Sequence, residues 1–326
     1  MTLLLAGGNA LGAFEAGACT ALLRGGVRPD WVAGVSIGAV NGALVAGNDH
    51  PAGLDALRTF WTEAAQLGTS RLAGQFQAML LGRPGIFAPV ASGLLPGRAE
   101  DVGLHDLAPL RHSLERLVDF DRLNSGAVRF TAVAVDLETG QDVVFDTRDQ
   151  TVGPEHIVAS CALVPEFRPV RIDGHLLGDG GLSANLPLDV VRGDRSRGGL
   201  CIAVDPFRPR ARPFTGVAEA LARRHEIIFA SQTRRQLAHL TEAEELRRTL
   251  RHVLDRLPPG TDDDPALRAA RAEAARPALD VVTVDWPASD EIGNRLFDYS
   301  PSALAERWTG GEQAAERLLD DLSAKC

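Results

Sequence analysis

The sequence predicts an α/β fold, and three observations carry that prediction. Twice within the first fifty residues an apolar segment ends in a glycine turn and gives way to a helical pattern, at "TLLLAGG" before "ALGAFEAGACTALLRGG" and at "WVAGVS" before "IGAVNGALVAG". Further apolar segments of strand length recur at "VRFTAVAVD", "HLLGDGG" and "GLCIAVDPF". Strand, glycine turn and helix in alternation is what a sheet covered by helices requires. The chain has 326 residues, 45% apolar and 24% charged, enough for a sizeable core in one large domain or two ordinary ones.

The elements follow in chain order. Residues 2–8 read as a strand broken at Gly7-Gly8, and the helix after it ends at Gly25-Gly26. Residues 31–36 read as a second strand, with a helix beginning near Ser36. Residues 80–97, "LLGRPGIFAPVASGLLPG", are apolar but interrupted by glycine and proline, so they suit neither helix nor strand. Residues 128–146 read as a hairpin turning at Glu138-Thr139-Gly140. Residues 215–256 carry apolar positions at helical spacing with arginine and glutamate between them, and "PPGTDDDP" (258–265) reads as a solvated loop. "LDVVTVDWP" returns as a strand, and "SPSALAERWTGGEQAAERLLDDLS" closes as a helix. There is no internal repeat and no long linker, so the preferred organisation is one domain with a helical insertion.

Charge and cysteine usage exclude whole classes of function. The net charge is −9, against the basic patch expected of a nucleic-acid binder. Lys325 is the single lysine, and the one basic cluster, "PFRPRARPF" (206–214), reads as a solvated loop. Cys19, Cys161, Cys201 and Cys326 show no metal spacing and no CxxC pair, which favours buried thiols in a reducing, cytoplasmic compartment. The apolar opening lacks a basic segment and is interrupted by Glu15, so it does not read as a secretory signal. No stretch approaches the ~18 uncharged apolar residues of a membrane span.

Three motifs can carry chemistry. Gly34-Val35-Ser36-Ile37-Gly38 places a serine between two glycines where a strand meets a helix. A sharp turn there exposes the hydroxyl and aims the helix N-terminus at developing negative charge, so Ser36 is a candidate nucleophile; a plain helix N-cap is the alternative. "GGNALG" follows a strand and opens a helix, so its backbone N–H groups can converge on an anion. Asn9 stands where a dinucleotide-binding loop needs glycine, and Ala13-Phe14 follow Gly12 where a P-loop needs lysine and a hydroxyl. An oxyanion hole remains. Asp179, in "LLGDGGLSANLPL", sits at a strand end before Gly180 and Gly181, and a desolvated carboxylate there can take the serine proton; a structural turn aspartate is the alternative. None of the eight histidines has the loop setting of a triad base. His175 falls in a hairpin turn, and His225, His239 and His252 lie in arginine-rich helix and read as surface residues.

Together and in this order, "GGNALG", "GVSIG" and "DGG" resemble the patatin-like phospholipase family. "SLERLVDFDRLN", "VAVDLETGQ" and "ASCALVPEFRPVRIDG" are similar to patatin-type sequence too, and the likeness runs from about residue 3 to 206. The closing segment is similar to an extension found on some bacterial patatin-like proteins. The resemblance implies a three-layer α/β/α sandwich with a mostly parallel central sheet and a C-terminal helical region. It divides the chain into a catalytic core, 1–206, and a segment 207–326 of helical insertion, strand and helix packed on the same domain. It implies a Ser36–Asp179 dyad, with Gly7, Gly8 and Asn9 forming the oxyanion hole, Gly34 and Gly38 the nucleophile turn, and Gly180 and Gly181 the loop after the aspartate. The implied reaction is hydrolysis of lipid carboxylic esters through an acyl-serine, with no metal or cofactor.

Two positions depart from that family's pattern. Asn9 replaces a third glycine, and asparagine tolerates positive φ. Leu11 replaces the usual arginine or lysine, removing a cation from beside the oxyanion site and bearing on phosphate head groups. Residues 80–97 suit an apolar wall for an acyl chain, with Phe87, Leu94 and Leu95 as contacts, or else core packing. The same acyl-serine would also serve an acyltransferase, and Leu11 would suit a regulatory protein that has lost activity. The expected partner is a lipid or acyl ester, not nucleic acid, met at a membrane only in transient contact. No strongly basic amphipathic helix is legible.

Overall fold

Thr2–Leu5 forms the first strand, β1, and all four residues are buried. Such unbroken burial suits a strand covered on both faces. The computed structural model describes residues 1–65, 81–83, 85–90, 97–194, 196, 198–207, 214, 216–257, 264–286 and 295–324. The elements after β1 are α1 (Gly12–Arg24), β2 (Trp31–Val35), α2 (Ile37–Ala46), α3 (Ala52–Ala64), β3 (Ala88–Pro89) and β4 (His105–Asp106). Then come α4 (Ala108–Leu117), α5 (Phe120–Leu123), β5 (Arg129–Asp136), β6 (Asp142–Asp146), α6 (Pro154–Ser160), β7 (Val170–Ile172) and β8 (His175–Asp179). The chain continues through α7 (Leu188–Gly193), β9 (Gly199–Asp205), α8 (Val217–Leu254), α9 (Pro265–Ala274), β10 (Leu279–Asp285) and α10 (Pro301–Ser323).

The main sheet runs β10-β9-β1-β2-β5-β8-β7, with β6 also on β5. β10, β9, β1, β2 and β5 are parallel neighbours, while β6 and β8 lie antiparallel to β5. Alternate residues of β1 divide the core. Leu3 and Leu5 join a cluster with Phe14, Val40 and Phe130, whereas Leu4 and Ala6 join Trp31, Leu188 and Leu240 on the other face. Helices cover both faces, giving the three-layer α/β/α sandwich with a mostly parallel sheet and a helical C-terminal region.

The register on β5 positions the site. Its one edge takes two neighbours in succession: Val35 of β2 stands opposite Val133, and Asp179 of β8 stands opposite the next residue, Ala134. β6 occupies the other edge. The chain end of β2 and the chain end of β8 therefore meet on consecutive positions of one strand.

The C-terminal helix α10 lies tightly on α1. A side chain at Gly17 would strike the Trp308 carbonyl, and one at Gly311 would strike the Phe14 carbonyl, so glycine on both helices lets the backbones approach. Trp286, just past β10, stacks on Phe14 with ring centroids 4.8 Å apart. The helical pattern of residues 215–256 proves to be the single helix α8. Residues 258–263 of the expected solvated loop, and Leu94 and Leu95 of the expected apolar wall, lie outside the described residues, as do Lys325 and Cys326.

Candidate active site

Ser36 joins β2 to α2 with φ 55° and ψ −128°, a conformation that costs a non-glycine residue roughly 1–3 kcal/mol. The two flanking glycines make the turn possible by close approach. A Cβ at Gly38 would lie 2.5 Å from the Ala6 carbonyl just past β1, and one at Gly34 would meet the backbone of Ala39 at the same distance. The turn is pinned from below. The Ser36 N–H donates to Ser160 Oγ at 2.9 Å, and that hydroxyl donates to the Val133 carbonyl at 2.6 Å. Ser160 is fully buried at the end of α6, and nothing in its local sequence marks this role.

Asp179 is buried at the end of β8 beside the Ser36 side chain, and both line the same cleft. Burial pushes its carboxyl up to about 7. Ser36 and the Gly181 N–H, 2.7 Å from Oδ1, hold it down, while the charge of Glu166 adds to the rise. The two glycines that follow again mark close approach: a Cβ at Gly180 would strike the Val133 carbonyl, and one at Gly181 would lie 3.0 Å from Asp179 Oδ1. The Cys161 thiol completes this buried group; burial and the Asp179 charge raise it, and Ser36 holds it down.

The glycine loop after β1 faces the same point. The Gly7 N–H donates to the Asn185 carbonyl at 3.0 Å, so it is already engaged, and the loop is tied back by Asn185 Nδ2 on the Gly7 carbonyl at 3.3 Å. Gly7 instead provides room: a Cβ there would lie 2.5 Å from Asn185 Oδ1 and 3.2 Å from Ser36 Cβ. The N–H groups of Gly8 and Asn9 carry no hydrogen bond among the described residues. Asn9 does take positive φ, at 50°. Its side chain has a further task, for Oδ1 accepts the hydroxyl of Tyr299, the chain's single tyrosine, which is fully buried. Arg307 of α10, also fully buried, donates to the Ala10 carbonyl at 3.2 Å and the Asp298 carbonyl at 2.7 Å. Leu11 does not face an anion. It is fully buried in an apolar cluster with Phe207, Phe229, Ala230 and Leu296, so no cation has a place there.

Gly7, Gly8, Asn9, Ser36, Cys161, Asp179 and Asn185 line one cleft whose empty space, including the part open to solvent, is about 640 Å³. Ile86, Leu107, Leu110, Leu163 and Phe167 give it apolar walls; Glu166 and His225 are its other titratable groups. His225 corrects the surface reading drawn from its arginine-rich surroundings. It is half-buried in the cleft and stacks on Phe229, 6.3 Å between centroids, and burial holds its imidazole below the ordinary range. For Phe87 the structure takes the core-packing alternative. It packs against His105 and Phe167 at 4.8 and 5.3 Å inside the core, and the neighbouring Ile86 takes the place on the cleft wall. Asn185 and Gln232 were not singled out by sequence. Gln232 of α8 accepts the Asn185 N–H at 3.0 Å and donates to the Gly181 carbonyl at 3.3 Å, linking the loops around Ser36 and Asp179 to that helix. Among the described residues, no three His, Cys, Asp or Glu side chains are placed to hold a metal ion.

A family model described as patatin-like phospholipase matches residues 3–192, and a second, described as patatin phospholipase, matches residues 227–325. No curated protein matches the chain. Among solved structures, VipD from Legionella pneumophila is similar over 98% of this chain, at 12% identity and a TM-score of 0.45; the chain spans 66% of the length of VipD. No helix among the described residues is long and apolar enough to cross a membrane.

Proposed function

Because the chain belongs to the patatin-like phospholipase family, whose membership suggests lipid acyl hydrolysis, we propose that it cleaves carboxylic esters of lipids with Ser36 as nucleophile and Asp179 as base. The observation that carries this reading is the placement, in one cleft, of a serine held at φ 55° beside a buried carboxyl raised to about 7. A strained serine on a strand-to-helix turn presents its oxygen, and a carboxylate of that basicity is matched to proton transfer near neutral pH.

The steps follow from these positions. Ser36 Oγ attacks the acyl carbon as its proton passes to the Asp179 carboxylate. The oxyanion that forms is met by the N–H groups of Gly8 and Asn9 and by the N-terminus of α2, one such donor being worth roughly 3 kcal/mol. Asp179 then returns the proton to the departing alkoxide, and the alcohol leaves an acyl group on Ser36. Water attacks this ester, giving its proton to Asp179; collapse releases the carboxylic acid and restores the serine hydroxyl. The apolar walls formed by Ile86, Leu107, Leu110 and Phe167 receive the acyl chain, and the alcohol lies toward His225 and Glu166.

Hydrolysis of p-nitrophenyl esters of graded chain length tests the reading. Ser36→Ala and Asp179→Asn, each folded by circular dichroism, are expected to lose activity by about 10³-fold or more. Activity surviving Asp179→Asn would assign the base to another group, and His225 would be the first to examine.

A further inference from the structure

The N-terminal half of α8 carries apolar residues on both of its sides. Its inward side, Ala222, Glu226, Phe229, Ala230 and Thr233, is buried against the body. Its outward side should then be polar, yet Val217, Leu221, Ile227 and Ile228 are 79%, 48%, 52% and 43% exposed. Val217, Leu221, Arg224, Ile228, Ser231 and Arg235 recur at three- and four-residue spacing, which places them in one stripe.

The charges divide in the same way. Glu219 and Glu226, two helical turns apart, share the inward side, where Glu226 pairs with Arg223 at 3.0 Å and Arg295 at 3.1 Å. Arg224, Arg234 and Arg235 are exposed. In a chain of net charge −9, this outward face is apolar and cationic with no carboxylate from Val217 to Arg235. The helix that carries this face also forms part of the cleft wall, because its His225 and Phe229 line it. Leu182, 42% exposed, follows Gly181 on the turn that Gln232 of α8 holds.

We propose that the outward face of α8, with Leu182 beside it, docks on an anionic lipid bilayer and brings the cleft to esters held there. The proposal rests on the reading of the Ser36 cleft as a lipid hydrolase site. Apolar side chains between arginines suit an interface in which the former enter the boundary of the acyl region and the latter meet negative head groups. A two-fold contact between copies suits the stripe less well, since it would set arginines against arginines with no carboxylate between them.

Flotation of the full-length Ser36→Ala protein with vesicles tests docking while leaving the lipid intact. Phosphatidylcholine vesicles containing phosphatidylserine are expected to carry the protein, and vesicles of phosphatidylcholine alone to carry less. Leu221→Glu with Ile228→Glu should lower the partition coefficient by about tenfold or more, and Arg224→Gln with Arg235→Gln should remove most of the phosphatidylserine and salt dependence. In a chain that keeps Ser36, the Leu221→Glu and Ile228→Glu changes should leave hydrolysis of a water-soluble short-chain ester unchanged, which separates lost docking from lost folding or chemistry. Equal flotation of parent and Leu221→Glu/Ile228→Glu protein would overturn the proposal. So would failure of the parent to bind phosphatidylserine vesicles, or a dimer in light scattering that the same substitutions dissociate. If the parent floats as expected but wild type cleaves no ester, the surface stands and the hydrolase reading falls.

Discussion

In the proposed mechanism Asp179 must be ionised before it can take the Ser36 proton, and its burial sets the pH at which that happens. With the carboxyl raised to about 7, kcat/KM for a soluble ester is expected to fall about tenfold per pH unit below that value and to level off above it. His225 also titrates in the cleft, but burial lowers it, so His225→Gln should leave this acid limb in place. A limb that disappears in His225→Gln would give the titration to the imidazole. At this scale the sequence was most informative where glycine is forced by close approach. Gly34, Gly38, Gly180 and Gly181 each stand against a neighbouring backbone or the Asp179 carboxyl, and such residues bracket Ser36 and Asp179 in the sequence itself. Ser160, Asn185 and Gln232 were not legible, because a single hydroxyl or amide has no spacing pattern and its partners come from distant elements.

Among elements, strands were easier to read than the faces of helices. The apolar segments that became β1, β2, β5, β8 and β9 announce burial on both sides, and glycine or turn residues mark their ends. The periodicity of α8 predicts a helix, but not what its buried side meets, so His225 passed for a surface residue. Leu11 shows the same limit. In sequence it reads as a missing cation, whereas the loop places it under α8 among Phe207 and Phe229. Leu11→Arg is therefore expected to bury an unmatched charge and cost about 3 kcal/mol or more, read as a lower Tm with reduced ester hydrolysis. A stable, more active Leu11→Arg enzyme would show that the position does face the oxyanion.

For the whole molecule, the sheet brings its acids to one end and the surrounding layers deprive them of water. Burial raises Asp179 and Asp205 to about 7, and it raises Glu15 as well. A carboxyl whose pKa is higher folded than unfolded stabilises the protein fully below the unfolded value, and that contribution is lost as pH rises to the folded value. Between the ordinary 3.8 and about 7, Asp205 alone can account for up to about 4 kcal/mol. Asp205→Asn is expected to raise Tm at pH 8 and to change it little at pH 4, where wild type is already protonated; the opposite order would contradict this sign. The C-terminal third joins the same frame. β10 extends the sheet, α10 lies on α1, and Tyr299 and Arg307 hold the loop that carries Gly8 and Asn9. No local pattern predicts the Tyr299 and Arg307 contacts, since they join residues about three hundred positions apart.

The most direct test of the dyad is peptide mass spectrometry of the wild-type protein quenched during turnover of a p-nitrophenyl ester, beside Asp179→Asn treated in the same way. The account predicts an acyl group on the peptide carrying Ser36 in the wild type and little or none in Asp179→Asn. Acyl groups on another residue such as Cys161, or on Ser36 at equal rates in both proteins, would contradict it.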